Sequence, residues 1–200
     1  MLDLPIRRQL APALDATAAK LQRRGIRPGW VTAGGLAVGL AACVAAALGA
    51  WTAALALWLA NRLLDGLDGP LARRGRPTPL GGLLDFSADF VVYSGFVVAV
   101  AIAEPQARMA CVVLLATYLV NNVVLLSFSS LVERLGLELG DERSLRLTTG
   151  LAEGTETIIA YTLFCLFPGS SEVIAWAFAT LVGITAFQRV LYAARALDGR

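Results

Sequence analysis

The sequence has 200 residues, 57% of them hydrophobic and only 16% charged, with a formal net charge of +2. That balance excludes an ordinary water-soluble domain, which carries more charge and less apolar surface, and makes lipid the expected solvent for one membrane domain. Histidine is absent, which removes imidazole ligands and histidine bases from consideration, and no nucleic-acid polymer is expected as a partner.

Taken in chain order, residues 2–24 read as a surface helix. Leu2, Ile6, Leu10, Leu14 and Leu21 recur at helical spacing among Arg7, Arg8, Lys20, Arg23 and Arg24. This is the pattern of an amphipathic helix lying along an anionic membrane face, or of one packed on protein. The opening residues do not place a short basic region before an apolar core, so no cleaved signal peptide is expected. Six apolar segments follow, near Trp30–Leu48, Trp51–Ala72, Gly81–Ala103, Met109–Leu131, Gly150–Phe167 and Glu172–Ala194. Each approaches the roughly 20 residues that a bilayer requires. Pro105 and Pro168-Gly169 punctuate two of the turns. Gly35 and Gly39 lie one turn apart, as do Gly150 and Gly154, a spacing that lets helix backbones approach closely. Cys43, Cys111 and Cys165 each fall inside an apolar run, show no metal-ligand spacing, and read as small core residues.

Basic residues set the expected orientation. With the N-terminus in the cytoplasm, the first helix, the loop with Arg73, Arg74 and Arg76, the loop with Arg134, Arg143 and Arg146, and the tail with Arg195 and Arg200 all fall inside. The opposite side keeps only Arg108. The expected fold is all-α: six transmembrane helices in the cell (inner or plasma) membrane with both termini cytoplasmic. An amphipathic interfacial helix at 1–27 precedes a membrane domain at 28–200.

Four aspartates break the apolar pattern. Asp65 and Asp68 lie in the polar second half of the second span, and Asp85 and Asp89 at the start of the third. At about 100° per residue, Asn61, Arg62, Asp65, Asp68, Gly69, Ala72 and Arg73 share one sector of about 140°. Asp85 and Asp89, four residues apart, point the same way, with Gly81 one turn earlier. Carboxylates at membrane depth cost about 2.5–3.5 kcal/mol each on insertion scales, and like charges facing one another add repulsion. Bound cations make such a cluster tolerable. A donor set of oxygens selects hard ions, Mg²⁺, Mn²⁺ or Ca²⁺, and four carboxylates can hold two of them. Gly69 and Ala72 remove bulk so that a flat ligand such as a nucleotide can lie on the helix, and Arg73 offers a planar fork suited to phosphate. The competing reading is a cation-coupled transporter, whose carboxylates usually lie nearer the midplane.

These residues resemble the signature of the CDP-alcohol phosphatidyltransferases, D-x2-D-G-x2-A-R followed after seven or eight residues by G-x3-D-x3-D. Asp65, Asp68, Gly69, Ala72, Arg73, Gly81, Asp85 and Asp89 match all eight positions, with seven residues between Arg73 and Gly81. The resemblance implies that Asp65, Asp68 and Asp85 bind metal and that Asp89 both binds metal and acts as general base. It also implies that Asn61, Asp68, Gly69, Ala72 and Arg73 contact the CDP group. It further implies two Mg²⁺ or Mn²⁺ ions, a CDP-alcohol lipid donor (CDP-diacylglycerol), a homodimer in membrane lipid, and release of CMP when the acceptor hydroxyl attacks. Many relatives carry P-N-x-[LIVM]-T ahead of the first span. Here Pro28-Gly29-Trp30-Val31-Thr32 puts Gly29 in place of the asparagine and leaves Thr32 as an expected helix cap.

The signature reads the donor and leaves the acceptor open. Arg134, Arg143, Arg146 and Arg189 are candidates for an acceptor phosphate. Glu153 and Glu156, three residues apart on one face, are candidates for an amine or hydroxyls, or for pairing with Arg146 or Arg189. A small hydroxylated headgroup is the expected acceptor. Asn121 and Asn122 read as groups that hydrogen-bond between helices.

Overall fold

The computed structural model describes residues 3–75, 77–136 and 154–198. Among these it is all helical: α1 (Asp3–Arg23), α2 (Pro28–Ala47), α3 (Trp51–Arg74), α4 (Pro79–Ala103), α5 (Arg108–Arg134), α6 (Gly154–Leu166) and α7 (Ser171–Asp198). Short 3-10 turns at Pro105–Ala107 and Pro168–Ser170 lead into α5 and α7, where the two sequence-expected prolines sit. Arg143, Arg146, Gly150, Glu153 and Arg200 lie outside the described residues.

The helix ends follow local chemistry. Pro28 and Pro79 occupy first-turn positions, where a missing N–H costs nothing. Thr78 caps α4, its Oγ1 accepting from the Gly81 N–H at 3.1 Å. At the ends of α1 and α2 the chain reverses through Gly25 and Gly49, with φ of 74° and 71°. In each case the next N–H reaches back to the carbonyl five residues earlier, Ile26 to Leu21 and Ala50 to Ala45.

Among the described residues, four segments are long and apolar enough to cross a membrane: Pro28–Ala47, Pro79–Ala103, Pro105–Arg134 and Pro168–Leu197. α3 has the length, at 24 residues, but its second half carries charge. The described part of α6 is 13 residues of mainly apolar sequence. Apolar side chains such as Val44, Leu48, Met109, Leu119, Val123, Val173 and Phe187 point outward, more than half of each exposed. A belt of that kind fits lipid and not water.

Inside, α2 packs closely on α3 and α4, α5 packs on α7, and α6 joins α3 to α7. The core is aromatic at its centre: Trp58, Phe96, Tyr161 and Phe164 are fully buried. Trp58 and Tyr161 have ring centroids 4.9 Å apart, and Phe96 stacks on Tyr161 at 5.1 Å. All three cysteines are buried and free, as their apolar settings imply. α1 docks along α3. Ala18 is fully buried against Leu71 and Val31, with Leu21, Leu64 and Leu67 beside them. The Gln22 amide donates to the Arg74 carbonyl at 2.9 Å. Part of the apolar stripe of α1 is therefore spent on protein.

Candidate active site

Where α2, α3 and α4 converge, a pocket is lined by Val31, Thr32, Gly35 and Leu36 from α2, by Asn61, Asp65 and Asp68 from α3, and by Asp85, Ala88, Asp89 and Val92 from α4. Small residues allow the convergence. A Cβ on Gly39 would lie 2.5 Å from a Val92 methyl and 2.9 Å from the Asn61 amide nitrogen, so the helices can meet here only over glycine.

All four sequence-identified aspartates reach this pocket, in two arrangements. Asp65, Asp68 and Asp85 each present a carboxylate oxygen within 4.8 Å of the others. Three like charges that close repel strongly where water is scarce, and a group with this spacing could hold a cation. Asp89 instead pairs with Arg62, its Oδ1 accepting from Nη2 at 2.9 Å. Arg62 also reaches Asp65 Oδ2, at 3.4 Å.

The remaining sequence-identified residues are distributed around this centre. Gly69, Ala72 and Arg73 continue α3 beyond Asp68; Arg73 is exposed, and its Nη1 would lie 3.5 Å from a Cβ at Gly69. Gly81 sits in the first turn of α4, where a Cβ would come within 3.0 Å of the capping Thr78 Oγ1. Asn61 is buried, its amide nitrogen donating to the Gly35 carbonyl at 2.8 Å and its oxygen accepting from Arg62. Arg189 is buried on α7, is not among the residues lining the pocket, and donates to Asn121 Oδ1 at 2.9 Å, so Asn121 does bridge helices. Glu156 lies in the first turn of α6. Arg146 and Glu153 fall outside the described residues.

Two polar residues of the site are not apparent as such from sequence. Thr32, expected as a cap, lies a full turn inside α2, which already starts at Pro28. Its hydroxyl is 3.3 Å from Asp68 Oδ2 and 3.3 Å from the Pro28 carbonyl. Arg62 was visible only as one more residue in the polar sector of α3. Its side chain proves to be just 6% exposed. A buried arginine three residues before an aspartate is a signal that could have identified it, because a charge at that depth needs partners.

Comparison with known proteins agrees with this geometry. A model of the CDP-alcohol phosphatidyltransferase family matches residues 26–187. The inner membrane protein YnjF of Escherichia coli is 39% identical over 196 residues, covering 95% of this chain and 94% of YnjF. The fold is shared with phosphatidylinositol phosphate synthase (PgsA1) of Mycobacterium tuberculosis, solved with CDP-DAG bound and also with manganese and citrate. Both structures superpose with a TM-score of 0.70 at 24% identity over 90% of this chain, covering 93% and 88% of theirs. The family match spans every helix that builds the pocket and all eight signature residues, and on that ground the chain belongs to the CDP-alcohol phosphatidyltransferase family and is a membrane enzyme of that class.

Proposed function

We propose that the protein transfers a phosphatidyl group from CDP-diacylglycerol to the hydroxyl of a small acceptor, with release of CMP. The observation that carries this reading is the convergence of three carboxylate oxygens within 4.8 Å, with Asp89 lining the same pocket. The CDP-DAG named in the PgsA1 complex supports the choice of donor. Family membership sets aside the transporter reading.

The donor set fits a hard divalent cation. It is all oxygen, anionic and half-buried to buried, with neither histidine nor thiol among the residues lining the pocket. Asp65, Asp68 and Asp85, with Asp89 adjoining, would hold Mg²⁺ or Mn²⁺, two ions by family resemblance; manganese in a PgsA1 structure supports the assignment. Bound there, the metal would neutralise pyrophosphate charge and favour departure of CMP. The chain's own residues supply the rest. Gly69 and Ala72 keep the surface of α3 low for the cytidine group, Arg73 donates to its phosphates, and Asn61 and Asp68 border it. Asp89 takes the proton of the acceptor hydroxyl. The freed oxygen attacks the phosphorus farther from cytidine, the bond from that phosphorus to the bridging oxygen breaks, and CMP leaves with the electron pair. The proton on Asp89 then passes to solvent.

Arg189 on α7, with Glu156 and the sequence-identified Arg146 and Glu153, forms the proposed acceptor side. The membrane arrangement we infer is six spans (α2 to α7) with both termini cytoplasmic in the inner membrane. Residues 1–27 form the interfacial helix, 28–200 the catalytic domain, and the working unit is a homodimer. The polar half of α3 supports counting that helix as a span, because Asp65 and Asp68 turn into the pocket and away from lipid, while Arg73 and Arg74 fall at its last turn.

The test is direct. Purified protein in lipid nanodiscs is given CDP-diacylglycerol, Mn²⁺ and a panel of polyol phosphates, amino alcohols and lipid hydroxyls. Acceptor-dependent CMP release with one class, abolished by chelator and restored by Mn²⁺ or Mg²⁺, is expected. CMP release indifferent to every acceptor would make the protein a hydrolase instead.

A further inference from the structure

We infer that Arg62 is a positioning residue for the reaction: its guanidinium, held against two aromatic rings, fixes Oδ1 of Asp89 so that the other carboxylate oxygen faces the acceptor hydroxyl. The inference rests on the assignment of Asp89 as base given above.

The geometry is fully specified by the side chain's bonding. A guanidinium has five N–H donors in a rigid plane. Nε and Nη2 donate to Asn61 Oδ1 at 2.9 and 2.6 Å, and Nη2 also donates to Asp89 Oδ1 at 2.9 Å. Nη1 donates to Tyr93 Oη at 2.6 Å and to Asp65 Oδ2 at 3.4 Å. Those five contacts use all five hydrogens. The guanidinium carbon also lies 4.8 Å from the Trp58 ring centroid and 4.9 Å from that of Tyr93. Cation–π attraction is strongest where water is excluded, and Trp58 is fully buried.

The partners are themselves fixed. Asn61 is tied to α2 through the Gly35 carbonyl. The Tyr161 hydroxyl donates to the Tyr93 carbonyl at 2.9 Å and lies 3.1 Å from the Tyr118 hydroxyl. The aromatic core thus supports the orientation of one carboxylate. A base in a transfer reaction loses rate steeply when its oxygen is misplaced by about an ångström, on the order of 100-fold. Lysine supplies the charge but not the planar fork, so charge and orientation can be separated.

The experiment is Arg62→Lys in nanodiscs, read four ways: thermal unfolding, Mn²⁺ affinity by electron paramagnetic resonance without substrate, KM for CDP-diacylglycerol, and kcat. We expect unfolding, Mn²⁺ affinity and donor KM to stay within about threefold or a few degrees of the parent, while kcat falls about 10- to 100-fold. In an Asp89→Glu background the same substitution should cost little more, because the carboxylate is already displaced. A kcat within threefold of the parent, a loss confined to Mn²⁺ binding or donor KM, or losses that simply multiply would overturn the inference. Should Arg62→Lys fail to fold, Tyr93→Phe removes one acceptor of the fork; it must lower kcat with Mn²⁺ affinity unchanged, and an unchanged kcat overturns the inference equally. Asp89→Asn is measured alongside. If it stays active, the base assignment has failed; if it is inactive while Arg62→Lys is normal, only the role of Arg62 has failed.

Discussion

The α2–α3–α4 crossing and the α5–α7 pair are built on different terms. At the first, helices meet over a glycine that leaves no room for a methyl group, since a Cβ on Gly39 would fall 2.5 Å from Val92. At the second, the corresponding close position is relaxed: a Cβ on Gly183 would rest 3.9 Å from Thr117, an ordinary contact. The polar content differs in the same way. The crossing concentrates four carboxylates, Thr32, Asn61 and Arg62, whereas between α5 and α7 the polar contact is of another kind, Arg189 donating to the neutral Asn121 amide oxygen. A site that fixes metal and pyrophosphate gains from a rigid frame. The proposed acceptor side has more use for a looser one.

Loss of the base should separate the two regions most sharply. Asp89→Asn preserves shape and removes the proton acceptor, and kcat should fall about 10³-fold. Mn²⁺ binding should survive, because Asp65, Asp68 and Asp85 form their cluster without it. Arg189→Gln on the other side should act on binding: acceptor KM rises about tenfold with donor KM unchanged, the cost of losing one charged hydrogen bond. If Arg189→Gln changed donor KM instead, the two regions would not divide the substrates between them.

Much of this is readable in the sequence. Within the described residues the six apolar segments fall on α2 to α7, because proline and glycine mark the turns and apolar runs have one stable form in lipid. Asp65 with Asp68, and Asp85 with Asp89, share faces by helical spacing alone. What sequence spacing does not carry is the axial offset between neighbouring helices. That offset brings Thr32 of α2 level with Asp68 of α3, and turns Arg62 toward Asp89 in place of solvent. It also pairs Asp89 with Arg62 while leaving it in the same pocket as the three-carboxylate cluster. The amphipathic α1 was legible as a helix, but its docking on α3 depends on Gly66 leaving room for Leu14 and on the small Ala18 packing against Leu71.

A second contrast tests the frame itself. Gly39→Ala should destabilise the protein by about 1–3 kcal/mol, since the new methyl meets the stiff Val92 side chain and an Asn61 amide already held by the Gly35 carbonyl. Thermal unfolding in nanodiscs reads this, and kcat should fall with it because Asn61 carries Arg62. Thr32→Val should weaken Mn²⁺ affinity about threefold, the worth of one modest hydrogen bond to Asp68.

The smallest effect is expected at Gly183→Ala. The added methyl finds van der Waals contact with Thr117 and open space elsewhere, so no helix has to move. Alanine also favours the helical backbone over glycine by up to about 1 kcal/mol. Unfolding should therefore be unchanged or shifted upward, with kcat and both KM values at parent levels. The pairing of this substitution with Gly39→Ala is what gives it force, because the chemical change is identical and only the distance to the neighbouring helix differs. Equal destabilisation by the two would mean that the α5–α7 pair is packed as tightly as the catalytic crossing, and the division between a rigid donor site and a relaxed acceptor side would be lost.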